Sequence, residues 1–225
     1  MNFRPLLLAV FLAPLAAAAQ APETLFNLVS LSAQAEREVP NDLLSAVLAA
    51  EAEGVEPAPL AAEVNRTMQR ALALAKGVGA VKIRTGGYAT TPVYDKNRIV
   101  RWRVRQELRL ESADFAAATD LIGKLQASLV VAGMTLSVSP EARRQAENAL
   151  TAEAIGAFDE RARLVRDAMK AKSYRLRDLQ LSGSEPPRPL YAMARSAVAQ
   201  SAAPPAIEPG TTRILITVSG TVQLQ

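Results

Sequence analysis

The stretch RIVRWRVRQELRLES, residues 98–112, alternates for almost its whole length. Arg101, Arg103, Arg105 and Arg109 stand at odd positions; Val100, Trp102, Val104, Leu108 and Leu110 stand at even ones. Successive side chains of a strand point to opposite faces, so this segment is a strand with one apolar and one charged face. Trp102 is expected to be buried on the apolar side. The charged face is either the wet side of a sheet or a surface that grips a partner.

Other segments supply the cover. Residues 29–36 alternate, with Val29, Leu31, Ala33 and Ala35 inward, before a Pro-Asn-Asp turn. Residues 43–57 also alternate at Leu44, Ala46, Leu48, Ala50 and Ala52, and read as a strand. Residues 57–79 carry Leu60, Val64, Met68, Ala71, Leu72 and Ala75 at helical spacing, with Gly77 as a stop. Residues 80–85 form a strand and 86–97 a loop or distorted hairpin arm. Ser112 is suited to cap a helix over 113–128 with Phe115, Leu121, Ile122 and Leu125 inward. Residues 129–139 form the next strand. Ser139, Pro140 and Glu141 then start a long helix toward Lys172. Strands at 174–184 and 212–224 close the chain, the latter with Ile214, Ile216, Val218, Val222 and Leu224 inward. From Leu43 to Ser139 the order is strand, helix, strand, strand, helix, strand, the ferredoxin-like unit. The class is α+β: that unit extended by a long helix and further antiparallel strands.

The first residues belong to another category. Arg4 precedes an apolar run from Leu6 to Ala19 that is short for a membrane span and ends in small residues. Residues 1–21 read as a cleaved signal peptide, and 22–225 as a single domain with a mobile Pro/Ala-rich loop at 183–210. No later segment approaches membrane-span length, so no transmembrane segment is expected in the mature chain. The expected location is the periplasm, or the medium if the protein is secreted further. Losing Arg4 lowers the formal charge from +4 to about +3, a weak bias for a nucleic-acid binder.

These segments, in this order, resemble the SIMPL-domain family of secreted and periplasmic bacterial proteins. That family includes the oxidative-stress defence protein and the periplasmic immunogenic protein. VSLSAQAEREVPNDL resembles its opening strand and turn, and residues 77–112 its Thr-containing strand, Pro-x-Tyr loop and following strand. ALTAEAIGAFDERARLVRDAMKAK resembles its alanine-spaced long helix, and IEPGTTRILITVSGTVQL its Pro-Gly turn and last strand. Ser32-Ala33 stands where a glycine pair is usual, and Asp42 lies one residue later than the family's Asp. The resemblance implies links to stress tolerance and envelope oligomers. It carries over no catalytic residue.

The chemistry open to the chain is limited. It has no cysteine and no histidine, which excludes disulfides, thiol catalysis and a Ser-His-Asp triad, and removes the usual ligands of zinc and haem. No cofactor is expected. Glu51, Glu53 and Glu56 read as a solvated end of an element rather than a calcium loop. Tyr88 and Tyr94 read as rim packing, with ligand stacking as the alternative. Arg101, Arg103, Arg105 and Arg109 have three readings: a solvated face laced with ion pairs, a surface for an anionic envelope component, or a subunit contact. Without interleaved exposed aromatics they do not suit nucleic acid.

A helix from Pro140 to Lys172 would be nearly ~50 Å long, against ~20 Å for strands of average length. Ala146, Leu150 and Ala154 are therefore the expected assembly surface of a homo-oligomer, with Phe158, Val165 and Met169 filling the core. The functional expectation is a non-enzymatic envelope protein acting by self-assembly or by binding envelope components. The alternative is an enzyme using only carboxylates or serine.

Overall fold

The computed structural model describes residues 26–183 and 208–225. The leader at 1–21 and nearly all of the 183–210 loop lie outside the described residues. In chain order the elements are β1 (Leu28–Pro40), β2 (Leu43–Gly54), α1 (Pro57–Lys76), β3 (Lys82–Asp95), β4 (Arg98–Ser112) and α2 (Phe115–Leu125). They continue with β5 (Val130–Ser137), α3 (Pro140–Ala168), β6 (Tyr174–Gly183) and β7 (Thr211–Leu224).

The strands form two antiparallel sheets. The four-stranded sheet has the order β3-β4-β2-β5, the split arrangement expected from the order of its elements. Its core unites Leu44, Leu48, Val104, Leu108 and Leu110 from the strands with Val64 and Met68 from α1 and Leu121, Ile122 and Leu125 from α2. The even-numbered residues of β4 thus face the helices, as the alternation requires.

β1, β7 and β6 make the second sheet, with β7 in the middle. α3 lies on it, and its Ala146, Leu150, Ala154, Phe158 and Ala162 share a core with Ala33, Ile214, Ile216, Val218 and Val222. This corrects the assembly expectation. Leu150 and Ala154 are fully buried, and Ala146 nearly so, inside the chain's own core. The physical reason is strand length. β1 has 13 residues and β7 has 14, which at ~3.4 Å per residue span roughly 44–48 Å. The 29 residues of α3 extend about 44 Å, a length this sheet matches, and the helix is buried on it from Ala146 to Ala162. The surplus lies elsewhere: Leu164 and Met169 are exposed, and Val165 is half-buried. α3 runs through Gly156 without a break.

Other expectations change in detail. Of the two readings of residues 86–97, the distorted hairpin arm holds for 86–95, which form the second half of β3. A bulge between Thr85 and Tyr88 shifts the register, and pairing then continues to Asp95↔Arg98. Lys96 and Asn97 have φ of 45° and 67°, the left-handed pair that a two-residue hairpin of type I′ needs. Pro92 is tolerated because β3 is an edge strand. α2 is capped by Asp114, whose side chain accepts from the Ala117 amide at 2.9 Å. Ser112 instead accepts from the Asp114 amide at 3.0 Å and donates to the Ala80 carbonyl at 2.8 Å. Trp102 is only half-buried at the margin of the first core, and Val100 is exposed.

Candidate functional site

Helices cover only one face of the four-stranded sheet. Pleating turns the odd-numbered residues of β4 to the other, and the pairing register sets β2 carboxylates against them. Glu51 lies opposite Arg105 and Glu53 opposite Arg103. Across β3, Lys82 lies opposite Glu111 and Arg84 opposite Arg109.

The result is a ladder in which arginines and glutamates alternate. Arg101 reaches Glu53 at 3.5 Å. Arg103 reaches Glu53 at 2.8 Å and Glu51 at 3.1 Å. Arg105 reaches Glu51 at 3.2 Å and Glu107 at 3.7 Å, and Arg109 reaches Glu107 at 3.4 Å. The hydrogen bond from Arg103, joined by its charge and by Arg101, holds the Glu53 carboxyl below its ordinary range. The same bond, with the charges of Glu51 and Glu53, raises Arg103. All four arginines of the sequence motif therefore share one face and are ion-paired. Exposed pairs of this kind contribute little to stability; their effect is to fix the side chains and to cancel charge.

Cancellation is incomplete at one end. Around the β3 bulge, Lys82, Arg84, Thr85, Gly86, Gly87, Arg109 and Glu111 line a depression of about 360 Å³. Arg84 pairs with Glu111 at 2.8 Å. Glu107 is already shared between Arg105 and Arg109. Lys82, Arg84 and the glycine pair were not singled out by sequence reasoning. A Gly-Gly dipeptide inside a strand pattern is nonetheless a signal for a bulge.

The remaining candidates are dispersed. Tyr88 and Tyr94 lie along β3 and are 47% and 61% exposed. Glu51 and Glu53 serve the ladder, while Glu56 precedes α1 and makes no side-chain cap bond. Among the described residues, no three His, Cys, Asp or Glu side chains are grouped to hold a metal ion. Among them, too, no helix is long and apolar enough to cross a membrane.

Among the described residues, three helices on two antiparallel sheets, one of them in split order with a bare charged face, define an α+β protein whose distinctive surface is a sheet face. The chain belongs to the SIMPL family: the family's model, described as a protein of unknown function (DUF541), matches residues 29–222. A comparison with curated proteins finds no match to the chain.

Proposed function

We propose that the chain is a non-enzymatic periplasmic protein, exported on a cleaved leader. In this reading it serves envelope maintenance or defence against oxidative stress by self-assembly or by binding envelope components. The observation that carries the binding half is the helix-free face of the four-stranded sheet, where Lys82, Arg84 and the Arg101–Arg109 row meet four carboxylates, Glu51, Glu53, Glu107 and Glu111. Six cations against four anions leave a positive face, suited to acidic envelope material. The family resemblance supplies the location and the stress context.

The non-enzymatic part rests on the residues available. With no histidine or cysteine, acid–base work would fall to carboxylates, and a general acid needs a raised pKa. Asp42 and Glu53 both shift downward, the direction of structural hydrogen bonds and ion pairs.

Two measurements test the proposal. N-terminal sequencing of the periplasmic protein should find a start near Ala19 or Ala21. Loss of the protein should lower survival under peroxide or raise envelope permeability, and a wild-type copy should restore both. An intact Met1 in the cytoplasmic fraction overturns the location; unchanged survival and permeability overturn the role. Hydrolysis by the pure protein that is lost on changing one carboxylate or serine replaces it with the enzyme reading.

A further inference from the structure

The bulge in β3 places Arg84 directly opposite Arg109 across the β3–β4 ladder. Like charges directly opposite one another destabilise a sheet. The two guanidinium groups are 69% and 56% exposed, so water softens the repulsion without removing it. Lys82, the next residue but one on the same face of β3, adds a third positive charge. Although it sits opposite Glu111, Glu111 is engaged by Arg84. Lys82, Arg84 and Arg109 line the depression with three positive charges; Glu111 pairs with Arg84, and Glu107 pairs with Arg109 but is shared with Arg105. At least one positive charge is left over.

The backbone keeps this place open. Gly86 and Gly87 lie where two residues of β3 face one of β4, so part of the chain leaves the regular pairing. A Cβ on Gly86 would come within 2.8 Å of the Glu107 Cβ and 3.1 Å of the Arg109 Nε. Any side chain at that position would push Glu107 and Arg109 out of their present positions. The depression of about 360 Å³ is at the small end of ligand-site volumes.

We infer that the bulge of β3 is a binding site for a doubly charged oxyanion, a phosphate monoester group, held by Lys82, Arg84 and Arg109. A dianion matches the two positive charges by which the six cations of the whole sheet face exceed its four carboxylates. It also gives Arg84 and Arg109 a shared acceptor, which turns their repulsion into a clamp. The inference supplies a ligand class for the envelope-binding reading and rests on that reading only for where the ligand is met. The ladder from Arg101 to Arg105 lies outside the site because none of its arginines lines the depression.

The test uses the purified mature protein and three probes: inorganic phosphate, glycerol phosphate, and vesicles of phosphatidylcholine containing phosphatidic acid. Free phosphate and glycerol phosphate should bind in calorimetry, raise the melting temperature and perturb the amides of residues 84–88. Binding should strengthen from pH 5 to pH 7.5, because the second ionisation of a phosphate monoester falls near pH ~6, and weaken with added salt. Lys82→Gln and Arg84→Gln should each weaken it about tenfold, the scale of one lost charge-assisted hydrogen bond. Arg144→Gln, on α3 and away from this sheet face, should leave it unchanged. Binding to vesicles alone assigns the phosphate to a lipid headgroup; binding to the free anions assigns it to a soluble ligand. Absence of binding to all three probes overturns the inference. Equal loss in Arg144→Gln also overturns it, since the protein would then act as a diffuse positive field. Melting curves without ligand identify any variant that fails to fold, and Lys82→Gln and Arg84→Gln provide two independent readings. If none of the three probes binds but loss of the protein still sensitises cells to peroxide, the site falls and the proposed function stands.

Discussion

The carboxylate of Asp42 accepts two hydrogen bonds from Ser139, one from the backbone amide and one from the hydroxyl at 2.8 Å. The same hydroxyl accepts from the Ala142 amide at 3.2 Å. Asp42 is the last residue before β2, and Ser139 is the N-cap of α3, so this contact ties the start of the four-stranded unit to the start of the helix on the other sheet. Burial alone would raise the Asp42 carboxyl, but the two bonds from Ser139, together with one from its own backbone amide, outweigh it and hold it below its ordinary value of 3.8. A depressed carboxylate pKa contributes stability above the unfolded value and loses it as pH falls through the folded one. Asp42→Asn should therefore be less stable than the native protein at pH 7, with the gap closing below about pH 4. Urea unfolding at several pH values measures this. A gap constant from pH 7 to pH 3 would show that the charge of Asp42 plays no part.

Leu150 is fully buried in the core between α3 and its sheet. Leu150→Ala should cost about 2–5 kcal/mol, and Leu150→Arg should prevent stable folding. Leu164 is 69% exposed on the same helix, and Leu164→Arg should shift the melting temperature little. A well-folded Leu150→Arg protein would mean that α3 does not pack as described.

Gly220 sits where β7 passes the bulge of β6. A Cβ there would lie 2.4 Å from the Asp178 carbonyl oxygen, a backbone atom with little room to move. Gly220→Ala should destabilise by roughly 1–3 kcal/mol or more, read from the midpoint of chemical unfolding. An unchanged midpoint would refute the close approach.

Trp102 packs against the margin of its core, opposite Gly54 on one side and Pro92 on the other. Its replacement by alanine should cost less than the roughly 3–5 kcal/mol of a fully buried tryptophan. Its fluorescence should be partly accessible to iodide. Emission wholly shielded from quencher would place the ring deeper than the structure does.

Much of this architecture was legible because burial imposes a period. The alternation in β4 and β7 and the stripe of α1 identify both their elements and their inward faces. β3 was harder. Gly86, Gly87 and Pro92 all argue against a strand when read singly, yet an edge strand accommodates a bulge and a proline that a central strand would not. The stripe of α3 is legible but its partner is not, because strand length depends on distant pairing: β1 reaches its full 13 residues only alongside β7. The site divides in the same way. The Arg row follows from alternation alone. Its glutamate partners and the Arg84–Arg109 opposition depend on register between strands, which local pattern does not specify without the turn and bulge positions.

The pairing of β1 with β7 has a consequence for how the chain reaches this state. The segment from β2 to β5 is continuous and closes its own core from neighbours in sequence. β1, made before all of it, pairs with β7 alone in its sheet, and must wait for the far end of the chain. Pairings so distant carry a large loop-closure cost and form slowly. Folding should therefore proceed from the middle outward. Until β7 has been made, β1 remains an unpaired strand with Val29, Leu31 and Ala33 uncovered. Such a strand can be held by a chaperone during synthesis, or can join the β7 of a neighbouring molecule when concentration is high.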